Sequence, residues 1–188
     1  MSAPAEKTDW RLMRQMFGTI APRYDFITHV FSYGMGRGWK QLGVRKASLP
    51  DGAMVLDLAC GTGDFSQIVL ESLPGARVVA VDLTEQMLRV ARQRGGVRVA
   101  CGNALALPFP DGLFDCVFVG YGLRNFPDLA AALAEIHRVT RTGGQMVSLD
   151  FFLPRNQLWR VLYLGCLYAQ GAFWGLLLHG RPRPPEER

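Results

Sequence analysis

Residues 55–64 run Val-Leu-Asp-Leu-Ala-Cys-Gly-Thr-Gly-Asp: an apolar stretch with one acid inside it, Asp57, leading into two glycines one residue apart. Such a stretch is a buried strand opening onto a tight turn and then a helix. Gly61 and Gly63 admit backbone conformations closed to other residues and let a ligand come close to the main chain. From Asp64 the free N–H groups of the following helix form a positively polarised rim suited to a carboxylate or another anion. Further polar or small residues stand where later apolar runs stop: Asp82 with Leu83, Asn103 with Ala104, and Gly120-Tyr121-Gly122. A carboxylate placed like Asp82 can accept two hydrogen bonds from a ribose diol. Taken singly, each of these residues also serves as an ordinary helix cap or turn former.

Spacing separates the ligand classes that use such a turn. A dinucleotide fingerprint needs a third glycine, and Ser66 stands there; a phosphate-binding P-loop needs a lysine, and Asp64-Phe65 stand in its place. Two apolar residues, an acid four positions before the first glycine, and Gly-x-Gly resemble motif one of the class I S-adenosylmethionine-dependent methyltransferases. A plain strand-to-helix turn and a degenerate nucleotide site are the alternatives.

The elements that position these residues alternate regularly from Met54 onward. Strands are expected from 54, over 77–82, 97–101 and 114–119, and over 145–151. Between them come helices over 65–73, from Thr84, and from an Asp128 cap to about Thr140, the last ended by Gly143-Gly144. That alternation means parallel βαβ units with right-handed crossovers, an α/β doubly wound sheet whose ligands sit at the carboxyl ends of the strands. Ahead of it, a helix capped by Thr8 or Asp9 carries Trp10, Met13, Met16 and Phe17 on one face, for which packing on the domain's flank is as good a reading as any other. Between it and a helix over 39–47, aromatics and glycines mixed with isolated charges suggest an irregular segment, either a lid over a ligand or an ordinary loop.

Composition narrows the classes. With 188 residues and a 49% hydrophobic share the chain is large enough for a core and too apolar for disorder. A net charge of +5 without a basic stripe gives nucleic-acid binding no support. Cys60, Cys101, Cys116 and Cys166 lack C-x-x-C spacing and read as buried reduced thiols of a cytoplasmic protein, while His29, His137 and His179 are isolated, so no metal site is expected. The polar start lacks a secretory pattern. Residues 161–178 carry no charge, roughly the 18 at which a spanning helix becomes conceivable. Glycines and Gln170 interrupt the stretch, which reads as a buried or interfacial helix.

Several segments together resemble the ubiquinone/menaquinone biosynthesis C-methyltransferase family: Tyr24-Asp25, residues 34–39 and 56–64, Asn103-Ala104 with Leu107-Pro108-Phe109, Phe114-Asp115 and, most specifically, Gly122-Leu123-Arg124-Asn125. The resemblance covers roughly residues 17–180. It implies a Rossmann-like class I fold, S-adenosyl-L-methionine as cofactor, and methylation of a ring carbon on a reduced prenylated quinone precursor, foremost demethylmenaquinol to menaquinol. It also implies cofactor contacts from Thr62, Asp82, Asn103 and Ala104. With the strand ends these give a candidate cofactor site of Asp57, Gly61, Thr62, Gly63, Asp82, Leu83, Asn103, Ala104, Gly120 and Tyr121. Where the family commonly has serine this chain has Gly120, so one side-chain contact is absent.

A sulfonium methyl group is already activated, so the protein must align the ring carbon and raise its electron density. Arg124 is the candidate for stabilising the phenolate, with Asn125 orienting the hydroxyl and Tyr24 or Tyr33 closing over the ring. An ion pair of Arg124 with Asp128 is the alternative. Residues 158–178 are apolar enough for an isoprenoid tail or a peripheral contact with the inner face of the membrane. The expected organisation is an N-terminal helical or lid segment (1–50), a cofactor-binding core (51–155), and an apolar helix with a basic Pro-rich tail (156–188). The sheet lacks the last C-terminal strands of the usual fold, which leaves the fifth strand as an edge unless a helix or partner covers it. Other readings are methylation of another small aromatic or lipid acceptor, and a shortened non-catalytic subunit; a homodimer is compatible with either.

Overall fold

The computed structural model describes residues 10–179, with side chains through Ala169. Met1–Asp150 and Phe151–Arg188 form two compact units. The first opens with α1 (Trp10–Ile20), a 3-10 turn at Ala21–Arg23, α2 (Tyr24–Phe31) and α3 (Gly36–Ala47). The alternating part then runs β1 (Met54–Leu58), α4 (Asp64–Ser72), β2 (Arg77–Asp82), α5 (Glu85–Arg94), β3 (Arg98–Cys101), β4 (Phe114–Gly120), α6 (Leu129–Val139) and β5 (Thr140–Leu149). The second unit carries α7 (Gln157–His179). The expected caps Thr8 and Asp9, the tail from Arg181, and the side chains of Phe173, Trp174 and Leu176 lie outside the described residues.

All four strand pairings are parallel, in the order β3-β2-β1-β4-β5. The winding therefore reverses between β1 and β4, and the crevice above their carboxyl ends is where such sheets bind ligands. Both faces of β1 are buried, as a central parallel strand requires. Val55 packs with Val44, Phe65, Ile68 and Phe118 on one side, and Leu56 and Leu58 pack with Phe114, Val117 and Ile136 on the other.

Two segments differ from the sequence reading. Residues 21–35 are not irregular: α2 fills most of the stretch, and the chain reverses through Tyr33 (φ +51°) and Gly34 (φ +75°), whose N–H donates to His29 O at 2.8 Å. Eight residues are too few for a helical period to stand out among scattered aromatics. Nor do Gly143 and Gly144 end α6. That helix stops at Val139, where Thr140 Oγ1 caps Ile136 O at 2.6 Å, and β5 begins at once. Pairing jumps from Phe114 opposite Thr140 to Cys116 opposite Gln145, and the glycines sit inside that bulge. A Cβ on Gly144 would stand 2.6 Å from Thr140 Cγ2.

Candidate active site

The floor is built around Asp57, which is buried in β1 and accepts from Ser66 N at 2.9 Å and Ser66 Oγ at 2.6 Å. It thus anchors the first turn of α4 from below. Burial pushes its carboxyl up to about 6, against the pull of both Ser66 bonds. Above it the chain turns through Ala59 (φ +54°), Gly61 (φ +56°) and Gly63 (φ +85°), all in the left-handed region. Asp82 closes β2 and steadies the turn: Oδ2 accepts from Gly61 N at 2.9 Å and Oδ1 from Thr84 N at 2.8 Å. Burial raises the Asp82 carboxyl, and those backbone bonds oppose the shift.

Over these strand ends lies a cavity of about 270 Å³. Leu58, Ala59 and Gly61 line it from β1 and its turn, and Asp82, Leu83 and Thr84 from the end of β2. Gly102 to Leu105 follow after β3, and Gly120, Tyr121, Gly122 and Asn125 after β4. Its roof is Tyr24 with Trp10, Met13, Arg14 and Phe17 of α1. The sequence left the role of this apolar stripe open, with flank packing as one reading, and did not point to a roof. No residue of α1 is buried, and of its stripe Trp10, Met13 and Phe17 line the cavity while Met16 is exposed. A stripe turned toward a hollow and one turned toward a core have the same period.

Of the expected site residues, Gly61, Asp82, Leu83, Asn103, Ala104, Gly120, Tyr121, Tyr24 and Asn125 come together on this cavity. Asp57, Thr62 and Gly63 lie beneath or behind it. Thr62 Oγ1 donates to Asp25 Oδ1 at 2.6 Å, and a Cβ on Gly63 would stand 3.3 Å from Ala91 Cβ. Arg124 sits on a 3-10 turn (Leu123–Asn125) beside the cavity and not among its lining residues. Its partner is Asp150, at 2.7 Å, with the Arg124 side chain half exposed and that of Asp150 buried. Asp128 instead caps α6 through Ala131 N at 2.9 Å. Gly120 has a packing cause: a Cβ there would meet the Phe65 ring at 2.9 Å, and Phe65 stacks on Phe118 with centroids 5.0 Å apart. Of the cysteines, Cys116 is buried and Cys60 half-buried, but Cys101 and Cys166 are exposed, contrary to the expectation of four buried thiols.

Burial pushes the Tyr24 phenol up to about 12, with the Asp82 charge adding to the shift, and burial also pushes Tyr121 up to about 12. Both are neutral at ordinary pH, so each phenol is available as a hydrogen-bond donor and not as a base.

The reversal between β1 and β4, the glycine turn after β1 and the carboxylate closing β2 define a class I methyltransferase fold. YcgJ from Bacillus subtilis superposes with a TM-score of 0.58 at 28% identity, over 70% of this chain and 58% of that one. A SAM-dependent methyltransferase from Aquifex aeolicus shares the fold at TM-score 0.57 and 20% identity, over 63% of this chain and 66% of that one. The particular family follows from residues 5–177, which match the ubiE/COQ5 methyltransferase family, and the chain belongs to it. The methyl donor of that family is S-adenosyl-L-methionine. The demethylmenaquinone methyltransferase of Deinococcus radiodurans is 40% identical over 156 residues, 80% of this chain and 65% of that protein. Those of Thermus thermophilus (39%, 88% and 77%) and Thermobifida fusca (45%, 84% and 69%) are similar. The chain thus spans less than two thirds of the Deinococcus protein's length.

The residues fit such a donor. Gly61 holds a left-handed φ of +56° that favours glycine, and its main chain lies on the cavity beneath the Tyr24 ring. Asp82 is a fixed carboxylate, and Leu83, Met87 and Leu105 make an apolar wall. Among the described residues no helix is long and apolar enough to cross a membrane.

Proposed function

We propose that this chain transfers a methyl group from S-adenosyl-L-methionine to a ring carbon of a reduced prenylated quinone precursor, demethylmenaquinol giving menaquinol. The observation that carries this reading is the convergence of four strand ends on one cavity holding Asp82, Asn103, Tyr24 and Asn125. Family membership and the names of the relatives above support it. The donor supplies an activated methyl group on sulfur; what the protein must add is alignment, shelter and charge.

Asp82 receives the ribose hydroxyls, Leu83 and Asn103-Ala104 flank the base, and the main chain at Gly61 takes the amino-acid end. Tyr24 and Tyr121 keep water from the reacting face and donate to ring oxygens as neutral phenols. Arg124, held by Asp150, places a permanent positive charge where a phenolate develops, and Asn125 orients the same oxygen. After methyl transfer the ring proton leaves to a base or to water at the open edge of the site, and not to Arg124, whose guanidinium does not take it up. The exposed apolar residues of α7, among them Leu158, Trp159 and Leu162, meet the inner face of the bilayer in which the isoprenoid tail dissolves.

Labelled methyl donor with demethylmenaquinol in detergent tests the reading. Arg124→Ala should cut kcat about 100-fold or more, as loss of an oxyanion-stabilising group does, and change S-adenosyl-L-homocysteine affinity less than about two-fold. Full rate in that variant contradicts the role of Arg124, and absence of turnover in the wild type contradicts the reaction.

A further inference from the structure

Thr62 turns away from the cavity, and what it turns toward is a second polar cluster on the far side of the glycine turn. Arg94, the last residue of α5, bridges two carboxylates: one guanidinium nitrogen donates to Asp64 Oδ1 at 2.6 Å and the other pairs with Asp25 Oδ2. Each carboxylate spends its remaining oxygen on another element. Asp25 accepts Thr62 Oγ1 at 2.6 Å, and Asp64 accepts Lys40 Nζ at 2.6 Å. Two cations and two anions balance, and they join α2, α3, α4, α5 and the glycine turn.

Shielding is uneven: the Lys40 side chain is 10% exposed and that of Arg94 28%, against 37% for Asp64 and 45% for Asp25. An isolated exposed pair contributes little, but here Arg94 is shared by two carboxylates, one of which also holds the nearly buried Lys40, so the pairs act as one network. Burial alone would raise the Asp64 carboxyl, yet the charge of Lys40 and the bonds from Lys40 and Arg94 hold it below the usual range. Asp25 directly follows Tyr24 in the first turn of α2. The Tyr24 ring lies over Gly61 and meets Phe17 of α1 edge to face, with centroids 6.3 Å apart.

We propose that Arg94 is a positioning residue for the methyl-donor cavity, acting through Asp25 to hold the first turn of α2 on the glycine turn so that Tyr24 stays over Gly61. The inference rests on the donor occupying this cavity, and it gives Thr62 a role toward the roof and not toward the donor. Without the bridge, α2 keeps only the Thr62 bond at Asp25, and the roof spends more time open.

The test measures S-adenosyl-L-homocysteine affinity by calorimetry and amide exchange over α2 in the 188-residue chain, for wild type, Arg94→Met, Arg94→Lys, Asp25→Asn and the Arg94→Met/Asp25→Asn double variant. Arg94→Met and Asp25→Asn should each raise Kd about ten-fold, and the double variant should be no weaker than either alone, because both cut the same link. Arg94→Lys should recover most of the affinity, kcat at saturating donor should change less than about two-fold, and exchange should quicken in α2 while β1 and α4 stay protected. Wild-type affinity in both single variants, additive losses, no rescue by lysine, or unchanged exchange in α2 would each overturn the proposal. Asp25→Asn is nearly isosteric and carries the test should Arg94→Met fold poorly. A wild type that binds no nucleoside refutes the donor assignment instead, and α2 exchange still decides the clasp.

Discussion

Asp57 shows how one buried acid sets both the shape of the turn and its pH dependence. Its carboxyl is raised to about 6 from 3.8, so the fold favours the protonated form. Its contribution to stability is therefore complete below about pH 4 and is lost as pH rises through about 6. The two Ser66 bonds stabilise the charged form and limit that loss. Ser66→Ala should destabilise the protein by about 1–3 kcal/mol at pH 8, where the carboxylate is charged, and clearly less at pH 5. Urea midpoints at the two pH values check this, and equal losses would contradict it. The acid itself was legible, since nothing else explains a carboxylate inside an apolar run; its Ser66 partner, nine positions on, was not. The same holds for Thr62 with Asp25 and Arg124 with Asp150, whose pairing depends on how distant elements pack and not on local pattern.

At the level of elements, continuous apolar runs gave away their strands: the edges expected for β2 are those observed, β1 starts at Met54 as expected, and β4 runs one residue longer. What failed was arbitration between competing signals. Glycines that usually stop a helix at 143–144 serve a bulge, and aromatics that suggested a loop form α2. Asn103, Ala104 and Leu105 owe their place to a longer-range device. Glu135 accepts from Leu107 N at 2.7 Å, and Arg138 donates to the carbonyls of Leu107 and Phe109, fixing the segment after β3 onto α6. Among the described side chains of α7, Leu158, Trp159, Val161, Leu162, Leu164 and Tyr168 are exposed, Trp159 at 63%. Wild-type protein should co-sediment with vesicles of mixed zwitterionic and anionic lipid, and Trp159→Glu with Leu162→Glu should reduce the bound fraction several-fold, because a charge at an apolar interface is costly. Equal sedimentation would remove α7 from the membrane contact.

Across the whole sheet, one reversal of winding does the positioning. It opens the crevice between β1 and β4, and the strand ends on either side supply an acid, an amide and unobstructed main chain to one cavity. Among the described residues β5 is the last strand on its side, consistent with a chain that spans only part of its relatives. Fold class was legible because βαβ alternation admits few topologies; the share of α1 in the roof was not, because α1 precedes the alternating part and shares no pattern with it. The proposal that this cavity is the methyl-donor site rests most on Asp82. Titration of S-adenosyl-L-homocysteine into the wild type and Asp82→Ala, with circular dichroism confirming that both are folded, tests it directly. One equivalent should bind the wild type with a Kd of roughly 1–100 μM, and Asp82→Ala should weaken it more than about ten-fold. A folded wild type that gives no heat, or a variant that binds equally well, would contradict the account.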